Sequence, residues 1–189
     1  MLPYVALTGL TLATLTVAAQ EPPPDVVLGE STLSPLVAQA LTPLLSDWIV
    51  QSRDAALAQG VRAIPAAIRS ALSGYVPEPI LERVRWRVGG AGETSVQENL
   101  FRFGYTPAVT LDYVVIFQSE KEALTDPKLW VHELKHVMQY ADWGIPQFAA
   151  RYLQDYAGVE EEAAEYRWQW MKQAGLIPPM PAAPEPTDG

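Results

Sequence analysis

The sequence predicts an α+β domain in which a small twisted sheet packs on one helix bearing a histidine motif. Three observations carry this. Val84-Arg85-Trp86-Arg87-Val88 alternates apolar and polar residues with the period of a half-buried strand. Val109 to Phe117 is a run of β-branched and aromatic residues, which suits a pleated, buried surface. Between Asp126-Pro127 and Gly144 the apolar residues instead return at helical spacing, and His132-Glu133-Leu134-Lys135-His136 lies inside that segment.

Composition narrows the class. The chain has 189 residues, enough for one compact domain and its tails, and is 49% hydrophobic. Its net charge is −9, with no basic run, which argues against nucleic acid or an anionic membrane surface as partner. Cysteine is absent, so disulfides, thiolate metal sites and cysteine nucleophiles are excluded together.

Residues 1–19 carry no charged side chain and end in Val17-Ala18-Ala19, small residues that a signal peptidase accepts. They are expected to be a signal peptide, which would place the mature domain outside the cytoplasm, periplasmic or secreted. Interrupting threonines argue against a stable membrane span. Residues 20–34, with Pro22-Pro23-Pro24, read as an extended linker.

The domain is then expected over residues 35–175. Ser34-Pro35 predicts a helix start, and Thr42-Pro43 a restart of that helix. Leu44, Leu45, Trp48, Ile49 and Ala56 follow at helical spacing up to Gly60. Pro65 to Leu72 reads as a second helix, and Pro77 and Pro79 break the pattern. The strand near 84–88 ends in the glycines 89, 90 and 92. The strand near 109–117 follows, with a third strand expected around Asn99 to Phe103, because two strands alone are marginal.

Asp126-Pro127 caps the motif helix, which should stop at Gly144. Trp130, Leu134, Val137 and Ala141 are its expected core stripe. Pro146 to Tyr156 and Val159 to Ala174 predict two further helices. Residues 176–189 hold five prolines and read as a disordered tail.

His132 and His136 are the only histidines in the chain. At i and i+4 on a helix both imidazoles reach one side, where they can share a metal ion, with Glu133 beside the metal-bound water. A catalytic zinc site takes three protein ligands and a water. With no further histidine and no cysteine, the third ligand must be a carboxylate. Glu160, Glu161, Glu162 and Glu165 are the acids placed to supply it, since 24 residues separate His136 from Glu160.

His132 to Gln139, read as H-E-L-x-H-V-x-Q, and Glu160-Glu161-Glu162-Ala163 together resemble the gluzincins, thermolysin-like zinc metallopeptidases. Within them the closer likeness is to a small bacterial domain associated with extracellular contractile injection systems. The likeness spans roughly Val84 to Trp170. It implies a zincin-like fold, Zn2+ as cofactor, His132, His136 and Glu160 as ligands, and Glu133 as general base. Glu161 is the alternative third ligand. Where the family usually has an aspartate supporting a ligating histidine, this chain has Ala164. A tyrosine is expected to stabilise the oxyanion, from among Tyr140, Tyr152, Tyr156 and Tyr166, with Tyr166 preferred because it lies on the ligand helix.

The resulting expectation is a small zinc metallopeptidase acting on a peptide or protein substrate. The alternative is a non-catalytic zinc-bound module that serves folding or partner docking. In a third arrangement the helices from Pro35 to Leu72 cover the cleft until they are removed.

Overall fold

The computed structural model describes residues 34–89 and 107–177, all within one compact unit, Thr32–Gly189. The expected signal peptide, most of the linker, the strand at 99–103, the glycines at 90 and 92, and nearly all of the proline-rich tail lie outside the described residues.

The described elements run α1 (Pro35–Ala58), β1 (Arg62–Ala63), α2 (Ala66–Leu72), α3 (Glu78–Arg83), β2 (Arg85–Val88), β3 (Ala108–Leu111), β4 (Val114–Phe117), α4 (Glu120–Thr125), α5 (Pro127–Trp143), α6 (Ile145–Gln154) and α7 (Tyr156–Gln173). The class is α+β with a four-stranded mixed sheet of order β1-β2-β4-β3. β2 pairs in parallel with β4, while β1–β2 and β3–β4 are antiparallel.

Two expectations are corrected. The run from Val109 to Phe117 is a hairpin rather than one strand, with Leu111 opposite Val114 and a two-residue turn at Asp112-Tyr113. Asp112 adopts φ 57°, a left-handed conformation that a short polar side chain tolerates. Its nearly buried carboxylate accepts from Arg53 (2.9 Å) and Arg83 (3.3 Å), which holds the turn against α1 and α3. The second correction concerns Pro43, which sits inside one continuous helix instead of starting a new one. Proline cannot donate to the Gln39 carbonyl, but Gln39 is on the exposed side of α1, where water can satisfy it. β1, α3 and α4 were not expected, being only 2, 6 and 6 residues long.

The main core lies between the sheet and α5. Trp86, Phe117 and Trp130 meet there, with ring centroids 4.7–6.1 Å apart. The Trp130 indole donates to the Ala123 carbonyl (2.7 Å), so its one polar atom is satisfied inside the core. On the other side of α5, Ile49 of α1, Tyr140, and Phe148 of α6 form a second cluster. Ala141, expected in the stripe, is exposed, and Tyr140 takes the buried place beside it. Helix α5 is thus packed on two sides, by the sheet and by α1 with α6. α7 covers a third.

Candidate metal centre

Local chemistry sets where α5 begins and ends. The Asp126 carboxylate accepts from the backbone N–H groups of Lys128 and Leu129, and Pro127 occupies a first-turn position where its missing N–H costs nothing. Gly144 ends the helix at φ 75°, a conformation costly for any residue with a Cβ. The fixed helix places His132 and His136 one turn apart, with Nε2 atoms 3.3 Å from each other.

α7 returns along α5 and brings Glu160 to the same point. Glu160 Oε2 lies 3.2 Å from His132 Nε2, and Oε1 lies 3.5 Å from His136 Nε2. Each carboxylate oxygen thus faces one imidazole nitrogen, and one ligand atom from each of the three residues lies within 4.8 Å of the other two, close enough to share an ion. The donors are two imidazole nitrogens and a carboxylate oxygen, chemistry that suits zinc. Among the described residues, this is the one group of three or more His, Asp or Glu residues close enough to hold a metal ion. Glu161, the alternative, is exposed, because one residue along a helix turns the side chain by about 100°.

The electrostatics of the cluster are those of a shared site. Burial disfavours the Glu160 carboxylate, but hydrogen bonds and charge from His132 and His136 prevail and hold it down to about 2. Burial likewise disfavours the His136 imidazolium. Glu160, Glu133 and Gln139 outweigh that and raise it above its ordinary value.

Glu133 points to the sheet side. It is 4% exposed, and the Thr110 hydroxyl of β3 donates to its Oε2 (2.7 Å). Among the described residues β3 is an edge of the sheet, and it runs against α5. Gln139, one turn beyond His136, is fully buried between α5 and α7. Its Oε1 lies 2.8 Å from His136 Nδ1, and its Nε2 donates to the Val159 carbonyl and to Glu162 Oε2, both at 3.1 Å. Lys135 Nζ lies 3.3 Å from the same Glu162 oxygen, an ion pair between α5 and α7. By contrast, His132 Nδ1 is buried without a hydrogen-bond partner among the described residues.

The tyrosines divide into two groups. Tyr166 is not brought to the histidines by any described contact. Its hydroxyl donates to the Tyr75 carbonyl (3.2 Å), while the Tyr75 hydroxyl donates to the Tyr166 carbonyl (2.8 Å). Burial, then the neighbouring Tyr75, push Tyr166 up to about 12. Tyr152 and Tyr156, with rings 4.9 Å apart, both feel the charge of Glu160. Tyr156 is one helical turn before Glu160 and is 45% exposed. This partition depends on how α7 meets Tyr75, 91 residues earlier in the chain, and no local sequence signal reveals it.

Residues 63–144 match a family model described as the eCIS core domain. The matched segment runs from β1 to the end of α5. It therefore includes His132, Glu133, His136 and Gln139, and stops short of Glu160. No curated protein and no solved structure matches the chain.

Proposed function

We propose that this chain is a small zinc-dependent hydrolase of gluzincin type, acting on a peptide or protein outside the cytoplasm in association with a contractile injection system. The single observation carrying this reading is the triangle of residues His132, His136 and Glu160, in contact at 3.2–3.5 Å with one carboxylate oxygen facing each imidazole, and Glu133 next to it in sequence. When bound, zinc would supply Lewis acidity and a water with a pKa of about 7.

The chain's own residues divide the remaining work. Glu133 takes the proton of the attacking water and passes it to the leaving amine. Thr110 holds that carboxylate from β3. The edge position of β3 suits an extended peptide, which would lie beside the motif helix. Tyr156, half-exposed one turn from Glu160, takes the oxyanion-stabilising role in this reading, because Tyr166 is committed to Tyr75.

The test is a paired measurement of zinc content and peptide hydrolysis on wild type and Glu133→Gln. The expected result is one zinc per chain in both, with turnover only in the wild type. Turnover at wild-type level in Glu133→Gln would refute the hydrolase.

One observation favours a second reading, a zinc-bound module without catalysis. The triangle joins α5 to α7, and the buried Glu133 also serves as a tie to β3. There, Glu133→Gln leaves zinc and partner binding intact, and hydrolysis is absent from the wild type as well.

A further inference from the structure

We infer that Gln139 is a positioning residue that fixes the tautomer of His136 and so makes it the pre-set member of the ligand pair. This inference rests on the zinc-site reading above and deepens it.

A side-chain amide has one end that accepts and one that donates. Around Gln139 the surroundings decide which end goes where. The Val159 carbonyl and Glu162 Oε2 are both acceptors, each 3.1 Å from the amide nitrogen. Turning the amide over would set its oxygen against two oxygens, one of them a carboxylate. The amide nitrogen therefore faces α7, and the amide oxygen faces His136 Nδ1 at 2.8 Å. An oxygen that only accepts requires a donor opposite it, so Nδ1 carries the hydrogen. When His136 is neutral, its Nε2 keeps the lone pair and points at the Glu160–His132 corner of the triangle.

Burial enforces the arrangement. Gln139 is 1% exposed and His136 is 6% exposed, so water cannot replace either partner. Glu162 is itself held by Lys135, so the chain Lys135–Glu162–Gln139–His136 spans both helices. His132 has no counterpart of Gln139: its Nδ1 is buried without a partner among the described residues. A neutral amide thus does for His136 what a carboxylate commonly does for a ligating histidine. The two histidines of one motif are unequal ligands.

The experiment reads the tautomer directly in the metal-free full chain. Long-range nitrogen–proton NMR correlations at alkaline pH, where both imidazoles are neutral, distinguish Nδ1–H from Nε2–H. Wild-type His136 is expected as Nδ1–H, and His136 found predominantly as Nε2–H overturns the inference. In Gln139→Met, which keeps the volume and loses the acceptor, His136 should no longer show a single tautomer. Zinc affinity, measured by chelator competition, should fall about 10–100-fold. In Glu162→Gln the amide can still accept from Gln139, so tautomer and affinity should stay as in wild type. An unchanged tautomer or wild-type zinc affinity in a folded Gln139→Met also overturns it. If Gln139→Met does not fold, the wild-type tautomer, together with loss of the single tautomer in Glu162→Ala, decides the matter. Because the tautomer is read without metal or substrate, an inactive or zinc-free wild type would count against the proposed function alone.

Discussion

The hydroxyl of Thr110 offers a measurable handle on the candidate general base. It is 2.7 Å from Glu133 Oε2, and Glu133 is 4% exposed. Thr110→Val preserves shape and removes the donor. A hydrogen bond to a charged group contributes about 1.5–3 kcal/mol, and a buried carboxylate deprived of it finds little water to replace it. For a chain of this size 1 kcal/mol moves the unfolding midpoint by about 2–4 °C, so Thr110→Val should lower it by roughly 3–12 °C. The cost depends on the charge at 133, and a double-mutant cycle isolates that dependence. Against Glu133→Gln, the same Thr110→Val change should cost less, with a coupling of about 0.5–3 kcal/mol. Thermal and denaturant unfolding of the four proteins gives the cycle. In the hydrolase reading, Thr110→Val also lowers turnover while zinc content holds, because Glu133 loses its orientation. A Thr110→Val midpoint equal to wild type, or a coupling of zero, would refute the assignment of Thr110 as the support of Glu133.

Two other outcomes follow from the geometry. Elemental analysis should find zinc lost from His132→Ala, His136→Ala and Glu160→Ala and kept in Glu161→Ala, whose side chain is exposed, and chelation should lower the unfolding midpoint of the wild type. The tyrosines should separate by pH and by rate. Above pH 10 the unfolded chain releases its phenol protons while folded Tyr166 keeps its own up to about 12, so stability is full below 10 and declines as pH rises towards 12. Tyr166→Phe should remove that share of the alkaline decline, read by unfolding at successive pH values. Tyr156→Phe should cut hydrolysis by about 10²–10³, the usual loss for one oxyanion donor, and by more than Tyr166→Phe does.

The motif helix was legible in the sequence because its signals are local. Asp126, Pro127 and Gly144 act on their own neighbours, and the spacing of His132 and His136 is a property of one helix. The hairpin was less legible. Asp112-Tyr113 lacks the usual turn glycine, and what stabilises it, Arg53 and Arg83, comes from 59 and 29 residues away in sequence. Pro43 misled for the opposite reason: its local rule is sound, but the exposed position of Gln39 removes the penalty. At the site, the requirement for an acidic third ligand could be read from composition. Which glutamate meets the histidines could not be, because Glu160 and Glu161 differ only in rotation about α7. The support given by Thr110 and Gln139 was equally hidden, as both contacts cross between elements.

The reciprocal pair of Tyr75 and Tyr166 bears on that rotation. Each phenol donates to the other's backbone carbonyl, so α7 is pinned to the α2–α3 connection through both side chain and main chain. Seven and four residues upstream of Tyr166, Gln139 grips the Val159 carbonyl and Glu162. A helix held at two places along its length cannot screw past its neighbour. Advancing by one residue would move the backbone by about 1.5 Å and turn it by about 100°. Which of the adjacent acids meets the histidines is thus a matter of gearing: all are carboxylates, and the clasp determines which tooth engages. Inserting one alanine between Ala164 and Tyr166 would set the two grips against each other. Either Glu160 leaves the histidines or the tyrosine clasp opens.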